Sequence, residues 1–469
     1  MIALLAFALN ASALDRPAPL PEPLPPRSFQ TQDPAVATLS NGLDVLVFSN
    51  HEVPLWEARL VLGVGEYADP TGKEGLAQLT YDLVDSGTDN RTSAEISRAL
   101  QLLGGSVTSG LRTDTVTINA RGIKRNLAET LDIWADIVLN PSFPEEELEI
   151  RRTAQIAAVE VALSDASATS GRVLSKLVYG DGYLGRSPTV ASLESLSRDD
   201  VLTFHGTYTG PENALLLVGG DLTVEDVVPL LEARLGSWTV EDLSSAPVVA
   251  EAKEIPNETI YFFDDPGASQ SVISSVTLID RIDGADWIPL AVANQMFARA
   301  FTSRVNMNLR EDKGYTYGAR CYASGRHGPG LYSCRSSVRT DATGASLREF
   351  RDEIAAVRSA RPLTDDEVRI SKSSLIQSWP RKFETIPSIL NQEFEIWRYG
   401  LSEDRLTEYI PAVDAVDTAQ ANDVLKRWLR PEATLWLIAG DREKVMKELE
   451  ETGLPIVELD RTGTELESN

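Results

Sequence analysis

The sequence predicts an α+β protein of two homologous halves of about 220 residues each. Each half is expected as an antiparallel or mixed sheet with helices packed on one face, the two facing each other as a clam shell. Three observations lead there. A chain of 469 residues exceeds what one hydrophobic core serves. FPEEELEI at 143–150 recurs as LTDDEVRI at 363–370, and PENALLLVGGD at 211–221 recurs as PEATLWLIAGD at 431–441. Both pairs are displaced by 220 residues, so the repeat is one whole domain. Finally, strand-like and helical segments come in runs without regular alternation, the order of layered α+β folds.

The elements follow from periodicity. In the first half GLDVLVFS and WEARLVLGVG are strand-like. GLAQLTYDLVDSGT, at 75–88, is helical, with Leu76, Leu79 and Leu83 spaced to meet a core. Gln78, Tyr81, Asp82 and Asp85 gather on another of its faces, Gln78 and Asp82 one turn apart. A second helix is expected near 93–103, SVTSGLRTDTVTINARG alternates as two antiparallel strands, and ETLDIWADIVLN returns to helical period. The repeated FPEEELEI and LTDDEVRI both read as capped, acidic helix starts. The second half supplies TIYFF, VISSVTLI, a long helix at 287–309, then YTYGARCYAS and GLYSCRSSVRT as strands.

Domain limits follow from composition. Residues 1–13 read as a signal peptide, with an apolar run at 2–9 and an Ala-Ser-Ala cleavage site. The run is too short to span a bilayer, so export is favoured over an anchor, with the bacterial periplasm as the expected location. Residues 14–30 are a Pro-rich spacer, 31–240 the first domain, 241–257 a polar linker, 258–455 the second domain and 456–469 a polar tail. The hydrophobic share of 42% and charged share of 24% are those of a soluble globular protein. A net charge of −26 argues against nucleic acid and against docking on an anionic membrane.

Cys321 and Cys334 are the only cysteines and lie symmetrically about His327-Gly328 in a turn-rich stretch. A hairpin would set them opposite each other; a cross-strand disulfide and a reduced buried pair are the two outcomes. The three histidines, His51, His205 and His327, have no second ligand at helical metal spacing, and each is most simply structural. No nucleophile elbow, phosphate loop or dinucleotide fingerprint occurs. One further segment stands out, NLREDKGYTYGARCY at 308–322. Arg310 and Tyr317 could together polarise a carbonyl and stabilise an oxyanion. The plainer alternative is a helix-terminal Arg paired with a carboxylate, plus a core Tyr.

These residues resemble the pitrilysin family of inverzincins, in its mitochondrial-processing-peptidase-like branch. That family carries G-L-A-H-x-x-E-H-x-x-x-x-G-T, a zinc helix, in its first half. The present chain keeps the frame but places Gln78, Tyr81 and Asp82 at the three reactive positions. The family's third ligand, a downstream glutamate, matches Glu160 of EVALSD, which would stand there without companions as a solvated helix residue. In the second half LREDKGYTY is similar to the family's Arg-Tyr segment, with Arg310 and Tyr317 at the matching positions. The resemblance therefore implies the non-zinc subunit of a heterodimeric zinc peptidase. It implies no metal in this chain, zinc in a partner subunit with H-x-x-E-H, and no peptidase activity alone. Substrates would be peptides or unfolded segments, basic ones being suggested by the −26 charge if that charge faces the chamber. The rival is a family member kept as a scaffold or peptide-binding protein. An autonomous peptidase with Gln78, Asp82 and Glu160 as ligands fits less well, since Gln is a weak zinc ligand and Tyr81 cannot act as the base.

Overall fold

In a computed structural model, residues 31–244, 251–255 and 257–466 are described. The expected signal peptide and Pro-rich spacer lie outside these residues, as does part of the linker. Two six-stranded sheets organise the chain. The first comprises β1 (Ala35–Thr38), β2 (Asp44–Ser49), β3 (Leu55–Leu62), β4 (Ser106–Leu111), β5 (Val116–Ile123) and β6 (Ala214–Gly220), in the order β1-β2-β6-β3-β5-β4. The second comprises β7 (Thr259–Asp264), β8 (Gln270–Ile279), β9 (Thr316–Arg326), β10 (Gly328–Arg339), β11 (Leu435–Gly440) and β12 (Ile456–Leu459), in the order β12-β7-β11-β8-β10-β9. The two orders match strand for strand, except that β1 runs antiparallel to β2 whereas β12 runs parallel to β7. Residues 456–459 therefore do not begin a polar tail. Val457 and Leu459 share the face that the first crossing helix covers, Ile456 packs on the opposite core, and together they add an edge strand.

One face of each sheet carries its own helices over a large apolar core, with Trp56, Trp134 and Tyr81 in the first half and Trp436, Tyr332 and Phe350 in the second. The other face is covered by a helix from the opposite half. Ala166–Tyr179 of the first half lays Val173 against Val272, Leu435, Leu437 and Ala439 of the second sheet. Ile386–Tyr399 of the second half lays Leu390 and Phe394 against Phe48, Val61, Leu215 and Leu217 of the first. These two crossing helices stand 220 residues apart at both ends. Each is amphipathic and closed at both ends: Asp165 and Thr385 cap the starts, and Gly180 and Gly400 follow the last turns. Gly219 on β6 allows the close approach, since a Cβ there would fall 2.8 Å from Ile386 and 3.3 Å from Leu390.

Polar contacts reinforce this exchange. Asp114, beside β5, accepts from the Arg398 guanidinium at 2.8–2.9 Å and lies 3.1 Å from His327 Nε2. His327 is thus more than a turn residue: it bridges the halves and packs 5.3 Å from the Tyr399 ring. Arg59 donates to Asn391 at 2.6 Å across the same junction.

Two local expectations differ. The helix expected at 287–309 is interrupted: Trp287–Asn294 is α-helical, Gln295–Arg299 widens into a π turn, and the chain resumes at Arg304–Asn306. Buried Asn306 holds the break open by donating to the Phe301 carbonyl at 2.6 Å and accepting from the Ala319 amide at 3.1 Å. Of the two acidic helix starts, Thr364 and Glu367 form a reciprocal capping box. Pro144 gives its helix no side-chain cap, and Glu145, Glu146 and Glu147 face the helix dipole alone.

Candidate functional site

The stretch that resembles a zinc helix forms a short helix, Leu76–Asp82, entered through Gly75 at φ 101°. Buried Asp69 accepts the amides of Gly75 and Ala77 at 2.7 Å each, fixing the helix start. Burial pushes the Asp69 carboxyl up to about 7 against those two hydrogen bonds. Gln78 donates to Asp82 at 2.6 Å, and the second Asp82 oxygen accepts from Gln155 at 3.2 Å. The two residues one turn apart therefore satisfy each other.

Tyr81 does not join them. Its side chain turns into the core, edge-on to Phe204 at 6.4 Å, with its hydroxyl 2.8 Å from Thr209 Oγ1. Complete burial raises its phenol well above the ordinary range, so it can neither take a proton as a base nor reach a ligand in the cavity. Glu160 lies exposed on the Glu145–Ser164 helix and contributes nothing to the cavity wall. The residues present do not fit a zinc ion, and among the described residues no three His, Cys, Asp or Glu side chains form a metal-holding group. His205 is no candidate either: it is buried against Phe143, 5.2 Å away, and burial depresses its pKa to about 4. His51 is held by Asp221 at 2.6 Å.

Gln78 and Asp69 open onto a cavity of about 460 Å³ between the halves, with Glu66, Arg172, Tyr179 and Arg326 in its wall. Arg310 and Tyr317 line a different one, of about 590 Å³, together with Gln270, Gly314 and Arg339. Arg310 lies 4.5 Å above the Phe301 ring with Nε 3.2 Å from Glu311. Tyr317 is 87% exposed. The plainer alternative of a core Tyr fails on that exposure, while the Arg does have a neighbouring carboxylate. The two cavities share no residue. Strand β9 runs between them, with Tyr317 near its start and Arg326 at its end. At the usual rise per residue that is about 30 Å of strand.

Cys321 and Cys334 pair directly across β9 and β10 and are joined as a disulfide, with Cα atoms 4.0 Å apart. The same register sets Arg320 opposite Arg335 on the other face of the hairpin. Sequence inspection passed over both arginines, although the symmetry that pairs the cysteines pairs them too. It also passed over Arg172 and Arg326, which come to line one cavity only through the packing of the two halves.

Fold and site together define a two-domain protein of metallopeptidase type, with Gln78, Tyr81 and Asp82 at the positions where the resembled helix carries its reactive residues. A family profile described as insulinase (peptidase family M16) matches residues 45–187, and one described as peptidase M16 inactive domain matches residues 195–375. The chain belongs to peptidase family M16. It is 25% identical over 399 residues to an uncharacterized zinc protease of Rickettsia bellii, covering 82% of this chain and 93% of that one. An uncharacterized zinc protease of Bacillus subtilis is 20% identical over 408 residues, covering 86% and 97%. Among solved structures, the peptidase M16 inactive domain from Pseudomonas fluorescens superposes with a TM-score of 0.79 at 20% identity, over 87% of this chain and 98% of that one. A protease from Helicobacter pylori gives 0.78 at 15% identity, over 86% and 98%. These likenesses carry the fold.

Proposed function

We propose that this chain is the exported, non-zinc subunit of a heterodimeric M16 peptidase, closing a peptide chamber on a zinc-bearing partner. The observation that carries the proposal is the separation of Arg310 and Tyr317 from the chain's own former zinc position. The pair faces a cavity containing none of Gln78, Tyr81, Asp82 or Glu160. Donors so placed serve a reaction centre brought by another chain. The partner supplies the Lewis acid, the activated water and the general base. As water adds to the scissile carbonyl, its oxygen takes up negative charge, and the Arg310 guanidinium and Tyr317 hydroxyl donate hydrogen bonds to it. Tyr317 has its hydroxyl free for this, and Arg310 exchanges Glu311 for the oxyanion.

The test is reconstitution with the H-x-x-E-H subunit co-purified from the source organism. Arg310→Ala and Tyr317→Phe should each lower peptide turnover while heterodimer elution and zinc content stay unchanged. Wild-type turnover in both variants overturns the proposal and favours the non-enzymatic scaffold. So does a native protein that co-purifies with no zinc-bearing subunit.

A further inference from the structure

Arg320 and Arg335 face each other across β9 and β10. Directly opposed residues of an antiparallel pair share one face with Cβ atoms about 5 Å apart, where like charges repel. Neither has a carboxylate partner among the described residues; Arg335 donates to the carbonyl and hydroxyl of Ser167 in the first half. Slippage cannot relieve the repulsion, because the Cys321–Cys334 disulfide fixes the register one position along.

Both side chains lie on the inner face of the second sheet. Arg335 pairs with Ser274, between Val272 and Val276, which the first crossing helix covers. That helix reaches the Leu331 end of β10 but leaves Arg320 and Arg335 exposed. Further along the same face of β9, Arg326 enters the cavity that Arg172 also lines. Arg172 donates to the Pro188 carbonyl, and Arg326 lies against Tyr179. At the strand's outer edge Arg299 sits 5.3 Å above the Tyr322 ring. None of these five guanidiniums meets a carboxylate among the described residues, in a chain with 70 acidic and 44 basic residues. Two acids of the cavity wall are already engaged: Glu74 by Arg186 at 3.2 Å and Asp69 by backbone amides. Glu66 alone has little to hold it, and burial favours its neutral form.

We propose that the inner face of β9 and β10 binds an acidic stretch of the peptide substrate, its carboxylates seated between Arg320 and Arg335 and directed toward Arg326 and Arg172. This deepens the reading of the chain as a peptidase subunit and rests on it. Guanidinium forks match carboxylates bidentately, and a ligand of opposite sign converts a costly like-charge pair into a favourable one. A peptide fits better than a nucleic acid because the acidic remainder of the chain repels a long polyanion. The local charge is thus the reverse of the −26 net charge, and so is the substrate preference.

The isolated full-length chain is titrated with a fluorescein-labelled decapeptide of glutamate and alanine, with its lysine counterpart, and with a single-stranded oligonucleotide. The glutamate peptide should bind, more weakly as salt is raised, and the other two should not. Arg320→Gln and Arg335→Gln should each weaken that binding about tenfold, the loss of one charge-assisted contact. The melting temperature of Arg320→Gln should stay constant or rise, because the variant removes a repulsion. Equal binding of the lysine peptide or the oligonucleotide overturns the inference, as does wild-type affinity in both variants. The two proposals fail separately. Absent acidic-peptide binding with turnover still sensitive to Arg310→Ala rejects only this inference; intact binding with turnover insensitive to that change rejects only the heterodimer role.

Discussion

The Arg398 guanidinium grips the Asp114 carboxylate at 2.8–2.9 Å, and through this pair the second half of the chain is fastened to the first. Both side chains are about nine-tenths buried, with 10% and 11% exposure. Arg398→Ala leaves a buried carboxylate with only His327, so the loss should be about 3–5 kcal/mol. Urea unfolding of the variant against the native chain measures it. Burial works to raise the Asp114 pKa, but hydrogen bonds from His327 and Arg398 outweigh it and hold the group below the usual carboxylate range. Its contribution is therefore complete above the unfolded-state value of about 3.9 and lost as pH falls through the lower folded value. Unfolding midpoints below pH 4 should fall more steeply for the native chain than for Asp114→Asn. Parallel curves would remove Asp114 from the acid response.

Gly219→Ala should loosen the same junction from its apolar side. The added methyl meets Ile386 at 2.8 Å and must push the second crossing helix off the first sheet. The cost of such overpacking is about 1–3 kcal/mol. Calorimetry should show a lowered melting temperature, whereas Gly171→Ala, where nothing lies within 4 Å of the new methyl, serves as the control.

Tyr81→Phe should destabilise the chain by about 1 kcal/mol, because buried Thr209 loses its partner while the ring packing survives. Tyr81→Glu should be far worse, burying a carboxyl without a partner. Restoring the family motif by substitution at 78, 81 and 82 should therefore yield little folded protein and no zinc-dependent activity. Metal analysis of the purified triple variant decides the point: stoichiometric zinc in a stably folded product contradicts the buried role of Tyr81.

Reduction of the Cys321–Cys334 bond, or Cys321→Ala with Cys334→Ala, should cost about 3 kcal/mol for a bridge separated by 13 residues. The hairpin should also lose its fixed register. Hydrogen exchange at the β9 amides should accelerate in the double variant and remain slow in the native chain.

In the reconstituted peptidase, Arg310→Lys keeps the charge but loses the planar fork. Turnover should fall by about 10²–10³, as for loss of an oxyanion donor, with KM little changed. A change confined to KM would assign Arg310 to substrate binding instead.

Much of the architecture was legible in the chain itself. The period-2 runs that became β2, β3, β5 and β8 have apolar faces long enough to leave no alternative, and the symmetric cysteines announced their hairpin. The interruption at 295–303 was not legible, since its cause is the buried Asn306 contact with Ala319, a residue outside the helix. Nor was the orientation of Tyr81. Gln78, Tyr81 and Asp82 share one arc on a helical wheel, but a helix of seven residues lets Tyr81 swing to the core when Thr209 waits there. The bridging role of His327 was equally hidden, because Asp114 and Tyr399 are distant in sequence and converge only when the halves pack.

The crossing helices have a consequence for how such a chain could arise and be dissected. Each half lends the other a helix and would, if cut free, expose the apolar strip its neighbour now covers. A lone half therefore has the makings of a self-associating protomer, and the whole resembles an exchanged dimer whose two copies have been fused into one polypeptide. Cleavage between residues 241 and 257 would sever the tether without separating the pieces, which would remain clasped and elute together.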